Sequence, residues 1–382
     1  MDNFNDLFNP VFLNYPEDFY NTSKNSFGKN IQINTPDTPI DDLSNYKIAI
    51  IGVEEDRNSN NSGAAKAPDI IRNKLYQLFK IESKHKIIDL GNIKIGKNYT
   101  DTYILLKEII AELIRNRIII VVIGGTQDLT FPCYLGIENN LKNITLTTVD
   151  NEVNFLSNKY NDYLLKIFER NKLFNYFNLG NQSYLCDPDS LKYIEKKLFD
   201  TIRLGLIRQK IDCIEPILRD SDIVSFDIGA IKQSEAPAKK NGSPNGLTSE
   251  EACLVARYAG LSNKVECFGL FELNPLYDIN YQTARLGAQI IWHFIEGVCN
   301  RINENPENFL YSGNFKSFIV NHENLDHSIT FIKSELTGNW WIEVPDLKNS
   351  KNIYISCSHE DYINACSGDI PDLWVKYFNK IN

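Results

Sequence analysis

From Lys47 to Phe271, short β-branched runs alternate with amphipathic stretches, and this alternation constrains the fold more than any other feature of the chain. The strand-like runs are Lys47–Val53, Lys86–Leu90, Ile118–Ile123, Ile144–Val149, Tyr176–Leu179, Ile202–Leu206, Ile223–Phe226 and Val265–Phe271. Between them, segments such as Ala67–Phe79 and Thr102–Arg115 carry apolar residues at helical spacing, with Pro68 suited to a first helical turn. Strand–helix alternation repeated in this way predicts a parallel sheet covered by helices. The count of strands fits a closed eightfold barrel and an open, doubly wound α/β sheet equally well.

The flanking regions read differently. Residues 1–45 lack sustained periodicity and carry Pro10, Pro16, Pro36 and Pro39, so they read as an N-terminal arm. The α/β unit occupies 46–304 and closes with a helix over Tyr281–Cys299. Beyond it, Phe315–Val320, Ser328–Lys333 and Trp340–Val344 read as antiparallel strands, and His359–Ala365 and Pro371–Phe378 as short helices. Residues 305–382 therefore form a small C-terminal α+β appendage. A net charge of -9 excludes a general binder of nucleic acid or anionic membrane, and a local basic run lies around Lys239–Lys240. The longest aliphatic run, Ile118–Ile123, is too short to span a bilayer. Eight cysteines without a C-x-x-C pair fit reduced thiols, and the expected location is cytoplasmic.

In parallel α/β proteins, functional residues gather where loops leave the carboxyl ends of the strands. Four segments with polar or acidic side chains sit there: VVIGGTQD (Val121 to Asp128), TTVDNEVN (Thr147 to Asn154), IVSFDIGAIKQ (Ile223 to Gln233) and FGLFELNP (Phe268 to Pro275). Gly124 and Gly125 permit a close backbone approach, and Asp150, Asp227 and Glu272 each follow an apolar strand. These groups converge on one crevice if their strands are neighbours. Taken singly, each has a plainer reading: Asp150 and Asp227 as loop caps, Gln127 as a satisfied amide, Glu272 as a buried carboxylate bonded to backbone amides. His293 reads as a core or interface residue, and Trp340 and Trp341 as packing of the appendage.

The segments resemble those of the ureohydrolase superfamily: arginase, agmatinase and formimidoylglutamase. The resemblance runs from about Lys47 to Cys299. It rests on the G-G at the third strand, the D-x-x-x-N/D after the fourth and the S-x-D at the seventh, together with SPNGLTSEEA (Ser243 to Ala252) and F-E-L-N-P-x-x-D (Phe271 to Asp278). Bacterial formimidoylglutamase-like proteins with a G-G-x-Q-D-L-T segment and a C-terminal extension are the relatives it points to. The fold it implies is an open doubly wound α/β/α sandwich with an eight-stranded, mainly parallel sheet, which decides against the barrel. The chemistry it implies is hydrolysis by two bridged Mn²⁺ ions, which acidify a water and hold it beside a guanidinium or formimino carbon.

This chain departs from the superfamily's ligand patterns G-G-x-H, D-x-H-x-D and S-x-D-x-D-x-x-D. Gln127 stands for the histidine of the first; the second reads Asp150, Glu152, Asn154; the third keeps Asp227 but has Gly229 and Lys232 in place of two aspartates. Glu152, Gln127 and Asn154 can still offer oxygen to a hard cation, whereas Gly229 offers nothing. A Lys232 ammonium pointing into the crevice compensates Asp150, Glu152 and Asp227 without metal. At ~4 Å and an effective dielectric of roughly 20, each such contact is worth about 4 kcal/mol before desolvation. The histidine that the superfamily carries beyond its second motif is missing from FLSNKYNDY (Phe155 to Tyr163), while Glu272, which there pairs with the guanidinium, is kept.

Two functions from different classes follow. The first is a pseudoenzyme: a non-catalytic small-ligand-binding or assembly protein with a degraded dimetal centre, no cofactor, and Lys232 in place of cations. Its crevice would recognise an amino or guanidino ligand through Glu272, Asn154 and Gln127. The second is an active hydrolase of linear amidines (formimidoylglutamate, arginine or agmatine) that releases formamide or urea. Asp150, Asp227, Glu152 and Gln127 would hold one or two Mn²⁺ ions, with Asp150, Asp227 and Glu152 as catalytic residues. Either way the expected partners are a small molecule and other subunits, as a homo-oligomer or within a larger assembly, and neither nucleic acid nor membrane.

Overall fold

The computed structural model describes residues 4–12, 23–40, 42–308, 313–321 and 328–382. Its strands are β1 (Phe8–Asn9), β2 (Gln32–Ile33), β3 (Ile48–Val53), β4 (Ile87–Ile93), β5 (Ile119–Gly124), β6 (Ile144–Val149), β7 (Leu173–Asn181), β8 (Asp200–Arg203), β9 (Ile223–Asp227) and β10 (Cys267–Phe271). They form one sheet in the order β1-β4-β3-β5-β10-β9-β6-β7-β8, with β2 also on β4. Every pairing is parallel except β1 with β4. The sheet stays open, as the superfamily resemblance implies, and the arm adds β1 and β2 to the eight strands of the α/β unit.

Alternation along the strands explains the two covered faces. Ile48 and Ile50 of β3 join the core on one side, while Ala49 and Ile51 join the core on the other. Ile71 and Leu75 of the helix Ala67–Gln77 and Ile290 and Phe294 of the helix Gln282–Cys299 fill the first side. Leu106, Ile109 and Leu113 of the helix Tyr99–Arg115 fill the second. Burying each of these side chains contributes about 1.5–3 kcal/mol. Among the described residues no helix is long and apolar enough to cross a membrane.

Three local expectations change. Ile202–Leu206 is not one strand: β8 ends at Arg203, and a helix starts at Leu204, because Leu204 and Ile207 bury one turn apart. The arm contains two short strands rather than cover alone, with Phe8 buried opposite Ile93. The C-terminal sheet has a fourth strand: β11 (Phe315–Val320), β12 (Ile329–Ser334) and β13 (Trp340–Asp346) are followed by β14 (Lys351–Cys357), all antiparallel. Its helix Asp372–Ile381 reaches the main sheet through Tyr377 to Asn175 and Lys376 to Asp200. Ser356 also bonds Asp220 at 2.8 and 2.9 Å. Pro16, His322 and His327 lie outside the described residues.

One buried ion pair joins a covering helix to the sheet. Arg72 Nε donates to Asp89 Oδ2 of β4 at 2.8 Å, Tyr76 donates to the same oxygen at 2.7 Å, and the two charged side chains are 1% and 0% exposed. Arg72→Ala leaves the Asp89 carboxylate buried without its cation, so urea unfolding should show a loss of about 3–5 kcal/mol. An unchanged midpoint would contradict the role assigned to the pair.

Candidate functional site

β5, β10, β9 and β6 are consecutive in the sheet, so their carboxyl ends open on one crevice. Gln127 follows β5, Glu272 follows β10, Asp227 ends β9 and Asp150 follows β6. All four, with Glu152, line a cavity of about 220 Å³, whose wall also includes Asn61, Asp128, Lys239 and Lys240. None of the described residues lining it is a histidine.

The Gly-Gly turn and the FELNP segment build one wall together. A Cβ on Gly125 would lie 2.0 Å from the Glu55 carbonyl oxygen, so only glycine lets these two loops meet. The Glu272 N–H donates to Gly125 O at 2.8 Å, and Glu272 adopts φ +71°, a left-handed conformation that costs a non-glycine residue about 1–3 kcal/mol. That strain aims its carboxylate at two donors: the Gln127 N–H at 2.9 Å and Asn61 Nδ2 at 2.9 Å. Asn61 is oriented in turn by Asn274 Nδ2, at 2.9 Å from its Oδ1. Gln127 thus serves Glu272 through its backbone, while its Nε2 donates to Ser225 Oγ at 3.4 Å.

On the facing side, Asp150 Oδ1 accepts from the Glu152 N–H at 3.0 Å, and Asn154 Nδ2 donates to Glu152 Oε2 at 2.6 Å. Asn154 therefore orients Glu152 and is absent from the residues that line the cavity. Asp227 has both oxygens engaged: Oδ1 accepts from the Gly229 N–H at 2.6 Å, and Oδ2 from Lys239 Nζ at 2.5 Å.

The lysine that reaches Asp227 is Lys239, and the expectation for Lys232 is corrected. Lys232 pairs with Glu235 at 2.6 Å and does not line the cavity. The turn that starts at Lys232 brings Glu235 back onto it, with the Glu235 N–H bonded to Lys232 O at 2.9 Å. Glu235 Oε2 also accepts from Ser249 Oγ at 2.5 Å, at the start of the helix Ser249–Leu261, which anchors the pair away from the sheet. Lys239 reaches the crevice because its neighbour Ala238 is fully buried and bonded at both ends, N–H to Thr283 Oγ1 at 3.0 Å and C=O to the Asn274 N–H at 2.7 Å. The adjacent K-K run was the one signal in the sequence for this residue.

The electrostatics follow from this packing. Burial pushes the Asp150 carboxyl up, and Asp227 pushes it further, against the opposing pull of Lys239. Burial raises Glu272 as well, although Lys239 and its two donors oppose the shift. Burial alone would lower the Lys239 ammonium, but Asp227, Glu272 and Asp150 together hold it well above the ordinary lysine range. Among the described residues no group of three or more His, Cys, Asp or Glu side chains is placed to hold a metal ion.

Asp128 is a titrating group that the sequence did not single out for its charge. Burial pushes its carboxyl up to about 8; Asn58 opposes this and Glu272 adds to it. A carboxyl raised in the folded state favours that state at low pH and loses the advantage as pH climbs through its folded value. The protein should lose thermal stability between about pH 4 and pH 8 relative to Asp128→Asn, in which the titration is removed. Parallel curves of melting temperature against pH for the two proteins would contradict the burial of this acid.

Comparison with known proteins agrees with this architecture. The sequence pattern of the Arginase family matches residues 46–296. A formimidoylglutamase of Staphylococcus haemolyticus is 23% identical over 277 residues, 65% of this chain and 85% of that protein. The crystal structure of formimidoylglutamase from Bacillus subtilis superposes with a TM-score of 0.65 at 19% identity, covering 72% of this chain and 92% of the other. Trypanosoma cruzi formiminoglutamase, solved with Mn²⁺, gives 0.63 at 22% identity, covering 67% and 95%. The match over residues 46–296 takes in the whole strand-end crevice, and this chain belongs to the arginase family.

Proposed function

We propose that this arginase-family protein binds a small amino or guanidino ligand in its strand-end crevice without hydrolysing it, and that the Lys239 ammonium stands in place of a dimetal centre. The observation that carries the reading is Lys239 Nζ at 2.5 Å from Asp227 Oδ2, inside the cavity shared by Asp150, Glu152 and Glu272. The donor set does not fit two divalent cations. Asp227 has both oxygens engaged, and Gly229 supplies none. A divalent ion ~4 Å from the ammonium, at an effective dielectric of roughly 20, is repelled by about 8 kcal/mol.

A singly charged ligand at the same distance is repelled by about 4 kcal/mol, half as much. Glu272 is fixed by two donors and Glu152 by Asn154, so an ammonium or guanidinium group finds carboxylates already oriented, at little cost in ordering. The rim amides Asn60, Asn158 and Asn241 suit the remaining polar groups of such a molecule. Activating a water calls for a metal or a general base beside the reacting carbon. The Lys239 ammonium, held protonated by the carboxylates around it, cannot take the proton of that water. The reading extends to a cytoplasmic protein, which eight free thiols favour, acting as an oligomer or within a larger assembly.

The test uses protein purified without chelator. Elemental analysis should find no stoichiometric manganese, and Mn²⁺-supplemented assays on formimidoylglutamate, arginine and agmatine should release neither formamide nor urea. At least one amino or guanidino compound should raise the melting temperature, and Glu272→Gln should abolish that shift. Two tightly bound equivalents of Mn²⁺ with turnover would establish the hydrolase instead, acting through Gln127, Asp150, Glu152, Asn154 and Asp227.

A further inference from the structure

Gly229 is glycine for a reason other than its backbone. It is not among the glycines with positive φ, so its conformation accepts any L residue. The three atoms nearest to a Cβ built there all belong to Lys239: Cδ and Nζ at 2.6 Å and Cε at 2.9 Å. A side chain at 229 and the lysine on Asp227 therefore compete for the same space. The backbone just before the lysine is held at the Ala238 N–H and C=O, so any relief has to come from the lysine side chain itself, at the expense of its seat on Asp227. The Gly229 N–H meanwhile donates to the other oxygen of Asp227 at 2.6 Å, so the two residues engage one carboxylate from two directions.

We infer that Gly229 and Lys239 form a single specificity device: the missing side chain makes room for the ammonium, and the ammonium takes up the Asp227 oxygen that a divalent cation would need. The inference rests on the metal-free reading of the crevice and adds a residue pair to it. Each half is ineffective alone. A glycine at 229 without the lysine leaves Asp150 and Asp227 as adjacent buried carboxylates with no cation between them. A lysine at 239 facing a side chain at 229 has to leave its present position on Asp227. The pair also leaves Glu152 and Glu272, which line the same cavity, as carboxylates an incoming cation would meet.

A double-mutant cycle in the full-length protein, with chelator present, reads the pairing directly. Gly229→Ala should lower the melting temperature by roughly 2–4 °C, the shift expected of an interaction of this size. In the Lys239→Ala background the same change should cost less than half of that. Should Gly229→Ala not fold, recovery of folded protein in the double variant is the corresponding result. Additive shifts, or no recovery, overturn the inference. The specificity is read by Mn²⁺ titration monitored by electron paramagnetic resonance. Gly229→Asp with Lys239→Ala should bind Mn²⁺ at least tenfold more tightly than the parent, with Lys239→Ala alone as the fallback if the double variant does not fold. Unchanged affinity in a folded variant overturns the inference. Metal content and turnover of the parent protein decide the metal-free reading itself, so the two failures can be told apart.

Discussion

Asp128, Asp150, Glu152, Asp227 and Glu272 line one crevice, and carboxyl groups gathered in this way stay ionised only beside a cation and otherwise hold protons; that constraint organises this molecule. Asp150, Glu152, Asp227 and Glu272 meet there because β5, β10, β9 and β6 lie side by side. The cation that the chain itself provides is Lys239, seated on Asp227. The surrounding loops follow from the need to place that ammonium. Ala238 is fastened at both of its backbone groups, position 229 has no side chain, and Lys232 is held elsewhere by Glu235.

The second organising element is strain used for aim. Glu272 occupies a left-handed backbone conformation, closed by a bond to Gly125 and steadied by Asn61 and Asn274. Gly125 can contribute only because it has no Cβ to meet the Glu55 carbonyl. A carboxylate held in this way is pre-ordered for a cationic group, a feature of binding sites and active sites alike. Within the arginase-family frame, Glu272 is the carboxylate that the proposed function assigns to a cationic ligand.

The sequence carried the architecture well and the site unevenly. Strand periodicity and the GGTQD, SFD and FELNP segments located the crevice, because strand ends in a parallel sheet are fixed by topology. Lys232 was chosen by spacing along a pattern, and spacing is blind to a turn that folds Glu235 back onto the lysine three positions earlier. Lys239 was visible as part of a basic pair. Its reach, however, depends on bonds from Thr283 and Asn274, dozens of residues away in the chain. The same limit affects the secondary structure. Two-residue strands such as Phe8–Asn9 have no periodicity to read, and Ile202–Leu206 changes to helix where Leu204 and Ile207 find a common buried face.

The most direct test of the account is a crystal of the full-length protein soaked in Mn²⁺, with anomalous diffraction recorded at the manganese edge. The account predicts no anomalous peak in the crevice and electron density for the Lys239 ammonium on Asp227. Manganese bound between Asp150 and Asp227, with Lys239 displaced toward solvent, would contradict it.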